Sequence, residues 1–487
     1  DVLAAQPRLV AALQDEGHAY ASVPEPVAIL RASTHTLDVT YSVDPGPLYT
    51  LGVIRFQGLK LVKESFLRRQ LKIHTGEPYH GSEIEQARQT LLDLGVFAAI
   101  SVPLPPRSEV QDTALPITFV VTESKRHAVT LDGEYSSDLG AIAGVTWTDR
   151  NVFGRGDQLS LTGNVFGLGG NGTATNGVSY DATAQLTLPN FTTTTQSLQL
   201  ELQALKPELT AYTQVAVIGG ATLARKLSSV WNASAGVLLE EERIFQNETV
   251  HCQRVISPQD LNLQGQPPYP GWCHYTLFSV PLTIRYDSTG LVNPLLDPLH
   301  GMRVQILLTP TESLFGHHAT FTIVQANAST YFDLTHLGWT QPGDSVFALR
   351  GLAGRALGVS QFGLPPDLRF YAGGSATVRG YAYQALGPTF PPPETAGKYP
   401  EGGTGVTAAT LEFRQRVWGN IGMALFVDGG AVSAAGLPAA GHYGFGYGGG
   451  PRYYTPIGPI RVDAAFPLNR AVGGDSFEVY IGLGQAF

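Results

Sequence analysis

The sequence predicts an α+β region of β-α-α-β-β order, followed by an all-β antiparallel barrel of sixteen strands that crosses a membrane. Three observations carry that expectation. Charged residues make up only 15% of the 487-residue chain, against roughly 25% in soluble domains. Gly 56, Tyr 20 and Phe 22 against Met 2 favour strands and turns over helices. From about residue 125 onward, apolar residues recur with a period of two, giving one greasy face and one polar or small face. No run of about 18 apolar residues exists, so no helix spans a bilayer, and a closed barrel is the other structure that can.

Residues 1–124 mix helical and strand periods. "VLAAQPRLVAALQDEG" reads as a helix, "LDVTYSV" alternates, and "PGP" punctuates. A complete unit follows over 49–124: strand "TLGVIRFQG", helix "VKESFLRRQLK", helix "SEIEQARQTLLDLG", strands "VFAAISVPL" and "LPITFVVTE". In the second helix Ile84, Ala87, Leu91 and Leu94 share one face, and Ser82 with Glu85 fits a capping box. Residues 1–48, a helix then a strand, read as the end of a similar unit. The chain opens on Asp1 without a Met or a basic, apolar leader, as expected for a processed or trimmed chain whose targeting segment lies outside it.

In the region 125–487 the final strand shows the new period most clearly. Phe477, Val479, Ile481, Leu483 and Phe487 alternate with Glu478, Tyr480, Gly482, Gly484 and Ala486. "IGMALFVDGG" and "IRVDAAF" repeat it, with Asp428 on the polar face of the first and Arg461 and Asp463 on the polar face of the second. Such segments number about sixteen, from near residue 127 to near residue 477. An even number brings the chain back to the side where the first region sits. "RNVFGRGD", "RVWGN" and "TPIGP" then fall on that near side as short turns, with "DSTGLVNPLLDPLHG" unusually long among them.

Several function classes are disfavoured. Net charge is −9 with no basic block, so nucleic-acid binding lacks an electrostatic footprint. "GFGYGG" has dinucleotide-loop spacing but no following helix, and reads as closely packed lumen backbone. Catalytic elbows, P-loops and metal-ligand spacings are missing from the sequence, which gives an expectation of no enzyme, no cofactor and no metal. Cys252 and Cys273 flank a polar, proline-rich loop; they either bridge, closing a loop worth roughly 3 kcal/mol, or stay as two thiols.

"GGSATVRGYAYQALGP", residues 373–388, is a glycine-rich loop carrying one arginine. Alternation places Glu412 inward beside Arg414 and Arg416, and Asp428 inward on the next strand. A guanidinium folded into the lumen would meet both carboxylates with forked hydrogen bonds; otherwise Arg379 is a solvated residue at a loop tip.

"RFYAGGSATVRGYAYQALGP" resembles the signature loop of the superfamily of outer-membrane assembly proteins that includes BamA, TamA, the two-partner secretion transporters and organellar relatives. "DRNVFGRGDQL", the closing "YIGLGQAF" and the β-α-α-β-β unit, which is similar to a POTRA (polypeptide-transport-associated) domain, add to the likeness. The longer form of the loop is most similar to TamA-type members, which carry three POTRA domains against one and part of another here. The resemblance implies that 359–404 tucks into the lumen, with Val378, Arg379, Gly380 and Tyr381 as its motif and Glu412 and Asp428 as acidic partners. It implies a bacterial outer-membrane location with the POTRA region in the periplasm, contact with outer-membrane lipid, and insertion of client β-barrel proteins such as autotransporters. A TamB-like periplasmic partner is implied too. Clients would add at a lateral seam where the first strand (Val129, Leu131, Gly133) pairs poorly with the last (Gly482, Gly484, Phe487). Rival expectations are a secretion transporter passing unfolded protein through the lumen, BamA itself, and a plain diffusion channel, which leaves the loop without a purpose.

Overall fold

The computed structural model describes residues 2–31, 35–110, 112–168, 174–246, 272–291, 293, 295–315, 320–338, 340–390, 399–438, 443–469 and 476–484. The chain divides into two compact units, Asp1–Ala128 with Thr148–Leu159, and Val129–Trp147 with Ser160–Phe487.

In the first unit, helix α1 (Val2–Asp15) precedes a hairpin of β1 (Val27–Arg31) and β2 (Thr36–Thr40). The α-β-β order is that in which a β-α-α-β-β unit ends; β1, in a proline-flanked stretch, was not legible from alternation. The complete unit has β3 (Thr50–Gln57), α2 (Glu64–Gln70), α3 (Gly81–Leu92), β4 (Phe97–Ser101) and β5 (Ala114–Glu123). Its sheet runs β3-β5-β4, with β3 parallel and β4 antiparallel to β5. Leu51, Ile54, Leu115, Ile117 and Phe119 of the sheet bury against Phe66 and Leu67 of α2 and Ile84, Ala87 and Leu91 of α3, with Leu94 half-buried at the edge.

The capping box is a correction. The helix begins one residue earlier than expected, at Gly81, with His80 as an N-cap that makes no side-chain bond. Ser82 therefore sits inside the first turn, where its backbone N–H and hydroxyl both donate to Asp15 at the end of α1. Glu85 turns to Arg88 instead. An acidic group from another helix thus supplies the charge that favours a helix N-terminus.

The second unit's barrel closes in the order β6 to β22: β6 (His127–Ser136), β7 (Gly140–Asp149), β8 (Gln158–Leu168), β9 (Ser179–Pro189), β10 (Gln196–Lys206), β11 (Thr213–Lys226), β12 (Trp231–Phe245), β13 (Trp272–Ser279), β14 (Leu282–Asp287), β15 (Gly301–Phe315), β16 (Thr320–Asp333), β17 (Ser345–Leu357), β18 (Gly405–Trp418), β19 (Ile421–Ser433), β20 (Gly444–Thr455), β21 (Gly458–Pro467) and β22 (Glu478–Leu483). β13 and β14 both pair with β12 and with β15, so they are halves of one strand broken at Val280–Pro281, and the barrel has sixteen strands. Proline, lacking an N–H, accounts for the interruption. The wall alternates as read: Leu411, Leu425, Val427, Ile460 and Ile481 are exposed outward, while Glu412, Asp428, Asp463 and Tyr480 are buried inward.

The long near-side turn has a structural reason. Asp297 reaches within 3.3 Å of Arg414 on β18, and a β-carbon placed at Gly458 or Gly484 would meet Leu295 at 2.9 and 3.0 Å, so the segment folds across strand ends rather than merely linking β14 to β15.

Candidate functional site

The segment between β17 and β18 forms the candidate site. Backbone bridges Phe370↔Gly403 and Ala372↔Leu386 draw it into a narrow double-backed loop. Its tip is tied internally, with Gly373 N–H donating to Thr377 Oγ1 (2.8 Å) and Gly374 N–H to Tyr381 O (2.8 Å).

Arg379, at that tip, is 1% exposed. Its Nε and Nη2 fork onto Asp428 at 2.7 and 2.9 Å, its own backbone N–H reaches the same carboxylate at 3.0 Å, and Nη1 donates to Glu412 at 2.9 Å. The guanidinium also lies over the Phe426 ring, 3.3 Å from its centroid. Such bidentate, charge-assisted bonds in a dry site fix both position and orientation. The structure therefore brings together the three residues that alternation and the loop motif had marked, and the solvated-tip alternative does not describe this arginine.

The flanking motif residues serve close approach. Gly380 adopts φ +93°, and a β-carbon there would lie 2.8 Å from the Phe466 carbonyl carbon. Opposite it, a β-carbon at Gly446 would lie 1.8 Å from the Arg379 carbonyl oxygen, which is why the inward positions of "GFGYGG" are glycine while Phe445 and Tyr447 face outward. Val378 is fully buried against Gly430, and Tyr381 donates its hydroxyl to Asn469 O at 2.9 Å.

Sequence reasoning missed part of the network. Asp463 on β21 lies 3.9 Å from Arg379 Nη1 and takes a fork from Arg452 on β20 at 2.6 and 3.1 Å. Glu412 also accepts from Arg414 Nε at 2.8 Å. The inward parity of Asp463 and Arg461 was legible; which guanidinium meets which carboxylate depends on register and on the loop, and nothing in the spacing gave it.

A sequence profile for the Omp85 superfamily domain matches residues 151–487, most of the chain. The chain belongs to the Omp85 superfamily. A POTRA profile, described as a surface antigen variable number repeat, matches 49–124. The outer membrane protein assembly factor BamA of Neisseria meningitidis serogroup B is 22% identical over 97% of this chain and 60% of its own length. BamA of Neorickettsia risticii is 26% identical over 34% of this chain and 21% of its own. The chain thus spans about three fifths of the first relative's length and about a fifth of the second's. In fold it is similar to a crystal structure of Haemophilus ducreyi BamA lacking POTRA domains 1–3 (TM-score 0.75, 19% identity, 98% of this chain and 92% of that one). It is also similar to CdiB from Acinetobacter baumannii (TM-score 0.61, 15% identity, 99% and 81%). As an Omp85 barrel with a POTRA unit, the protein resides in the outer membrane with its POTRA region in the periplasm, in a superfamily of non-enzymatic assembly and transport proteins.

The expected lateral seam lies between β6 and β22. Among the described residues, β22 pairs with β6 only at Tyr480↔Ser136 and Ile481↔Tyr135. Val129, Leu131 and Gly133 lie nearer the start of β6 and have no seam partner among the described residues; Val129 and Leu131 are 64% and 77% exposed. Gly482 pairs with Arg461 on β21, and Gly484, with φ +92°, lies just beyond the last strand. Phe487 lies outside the described residues. Cys273 is disulfide-bonded, and Cys252, the chain's other cysteine, also lies outside the described residues.

Proposed function

We propose that this protein is an outer-membrane protein insertion factor of the TamA-like kind, which helps autotransporters and other β-barrel clients enter the membrane. The observation that carries this reading is the seam, two residue pairs long among the described residues, where β15 and β16 share twelve. A barrel with one poorly paired joint holds unsatisfied strand edges in reserve, and an incoming strand completes their hydrogen bonds without nucleotide or covalent chemistry. The POTRA sheet, with edges at β3 and β4, gives a periplasmic TamB-like partner a surface of the same chemistry.

The test joins the seam. Tyr135→Cys with Ile481→Cys places a cystine at a facing pair whose side chains point outward, away from the arginine site. In liposomes, the reduced protein is expected to accelerate folding of an autotransporter barrel, read by heat-modifiable mobility, and the oxidised protein to lose that acceleration. Equal activity in both states would refute strand addition at the seam, and inactivity of the reduced and wild-type proteins alike would refute the insertion reading. A secretion transporter would instead move unfolded client across the vesicle wall while oxidised.

A further inference from the structure

Away from the arginine site, a second cluster joins the lumen loop to the wall. Glu240 and Glu242 lie two apart on β12, so they share its inward face, and Asp367 sits in the short turn Pro366–Leu368 at the loop's entry. One carboxylate oxygen from each lies within 4.8 Å of the others. Ligands around a single calcium ion at about 2.4 Å can be no more than about 4.8 Å apart, so this spacing fits one ion.

The second observation is an unmet need at the cluster's centre. Glu242 is 1% exposed, and its Oε1 is buried without a hydrogen-bond partner, as is Oδ1 of Asp367. The other oxygen of Glu242 accepts from Gln214 Nε2 at 2.5 Å, which orients the carboxylate and supplies no charge. Arg369 carries positive charge two residues on from Asp367, but it is turned elsewhere: Nε donates to Leu364 O at 3.0 Å, and Nη1 to Gln246 Oε1 at 2.7 Å and Glu401 O at 2.9 Å. Arg369 is close enough to attract Asp367 but hydrogen-bonds elsewhere, so among the described residues three acidic groups gather in a dry site around a surplus of negative charge, which is costly.

We propose that Glu240, Glu242 and Asp367 bind a hard divalent cation of the calcium class, which clamps the entry of the lumen loop to β12. The all-oxygen donor set, with no histidine or cysteine in the cluster, excludes a preference for zinc or copper. The clamp acts five strands around the ring from β18, so the loop is held at its entry by a metal and at its tip by Arg379.

The test uses the full chain folded in detergent and stripped with EDTA. Titration with Ca2+ by calorimetry, and with Tb3+ by tyrosine-sensitised luminescence, should each saturate at one equivalent, and Ca2+ should slow proteolysis of the loop several-fold. Glu242→Gln and Asp367→Asn should each weaken binding at least tenfold while the heat-modifiable mobility stays unchanged; should either fail to fold, Glu240→Gln is measured in its place. Absence of saturable binding, or binding that these variants leave intact, would overturn the proposal. So would loop protection that follows pH and ignores Ca2+, because the carboxyls would then be sharing protons.

Discussion

Replacing Arg379 by alanine tests the clamp at the loop tip most directly. Arg379, Glu412 and Asp428 are each 1% exposed, so the change strands buried carboxylates rather than returning them to water. Removing one member of such a buried set costs about 3–5 kcal/mol. The loss is uneven. Glu412 keeps Arg414 at 2.8 Å, whereas Asp428 retains only the backbone N–H of residue 379, at 3.0 Å. At about 1.4 kcal/mol per tenfold, the docked loop loses roughly two to three and a half powers of ten in population relative to the undocked one. The assay is limited proteolysis of the loop in the folded, detergent-solubilised protein, with mobility on heating as the check that the barrel is closed. Arg379→Ala should be cut far faster than wild type, and Arg379→Ala with Asp428→Asn should recover part of the protection, because the stranded charge is gone. A loop as protected in Arg379→Ala as in wild type, or a double variant no better than the single one, would refute the reasoning.

Other outcomes follow from the same geometry. Gly446→Ala places a β-carbon 1.8 Å from the Arg379 carbonyl oxygen, so it should expel the tip and raise single-channel conductance toward that of a deletion of residues 373–388; wild-type conductance would mean the tip docks elsewhere. Asp428→Asn should weaken loop protection more than Glu412→Gln, since among the described residues the Asp428 carboxylate takes hydrogen bonds only from Arg379; the reverse order in proteolysis would contradict this. In the POTRA unit, burial pulls the Glu123 carboxyl up, but backbone N–H groups of Lys60, Val62 and Leu61 more than offset it and hold it below the usual range. Its stabilisation is therefore present above about pH 4.3 and fades as pH falls through the lowered value. Glu123→Gln should cost about 1–2 kcal/mol at pH 7, allowing for partial exposure, and almost nothing at low pH, read by hydrogen exchange of β3 and β5.

Period-two alternation was enough to find the barrel and to point Glu412, Asp428 and Asp463 inward, because a strand's two faces are fixed by geometry alone. It was not enough to pair them. Arg452 reaches Asp463 through the β20–β21 register, and Arg379 reaches Asp428 across 49 residues of chain. Glu240 and Glu242 sit two apart in "LLEEERIF", a spacing that marks nothing by itself, and their meaning depends on Asp367, more than a hundred residues later in a loop without period. The seam was hardest of all. Hairpin strands inherit register from their turn, but β6 and β22 are joined by the whole barrel, so no local chemistry sets their offset.

The loop and the seam are not independent features of the lumen. Tyr480 is one of the two seam residues on β22, and its hydroxyl accepts the Gly380 N–H at 3.3 Å. On the other flank, Asp138, two residues beyond the end of β6, accepts the Tyr383 N–H at 2.8 Å. The loop therefore touches both flanks of the joint through Gly380 and Tyr383, three residues apart, with Arg379 beside Gly380 as the anchor. Among the described residues the joint has two residue pairs and the hydrogen bonds that Ser137 exchanges with Val479, so two more from a docked loop add substantially to what holds it. On the proposed insertion reading, fixation of Arg379 would help to keep this joint closed, and release of the loop would free its edges to open.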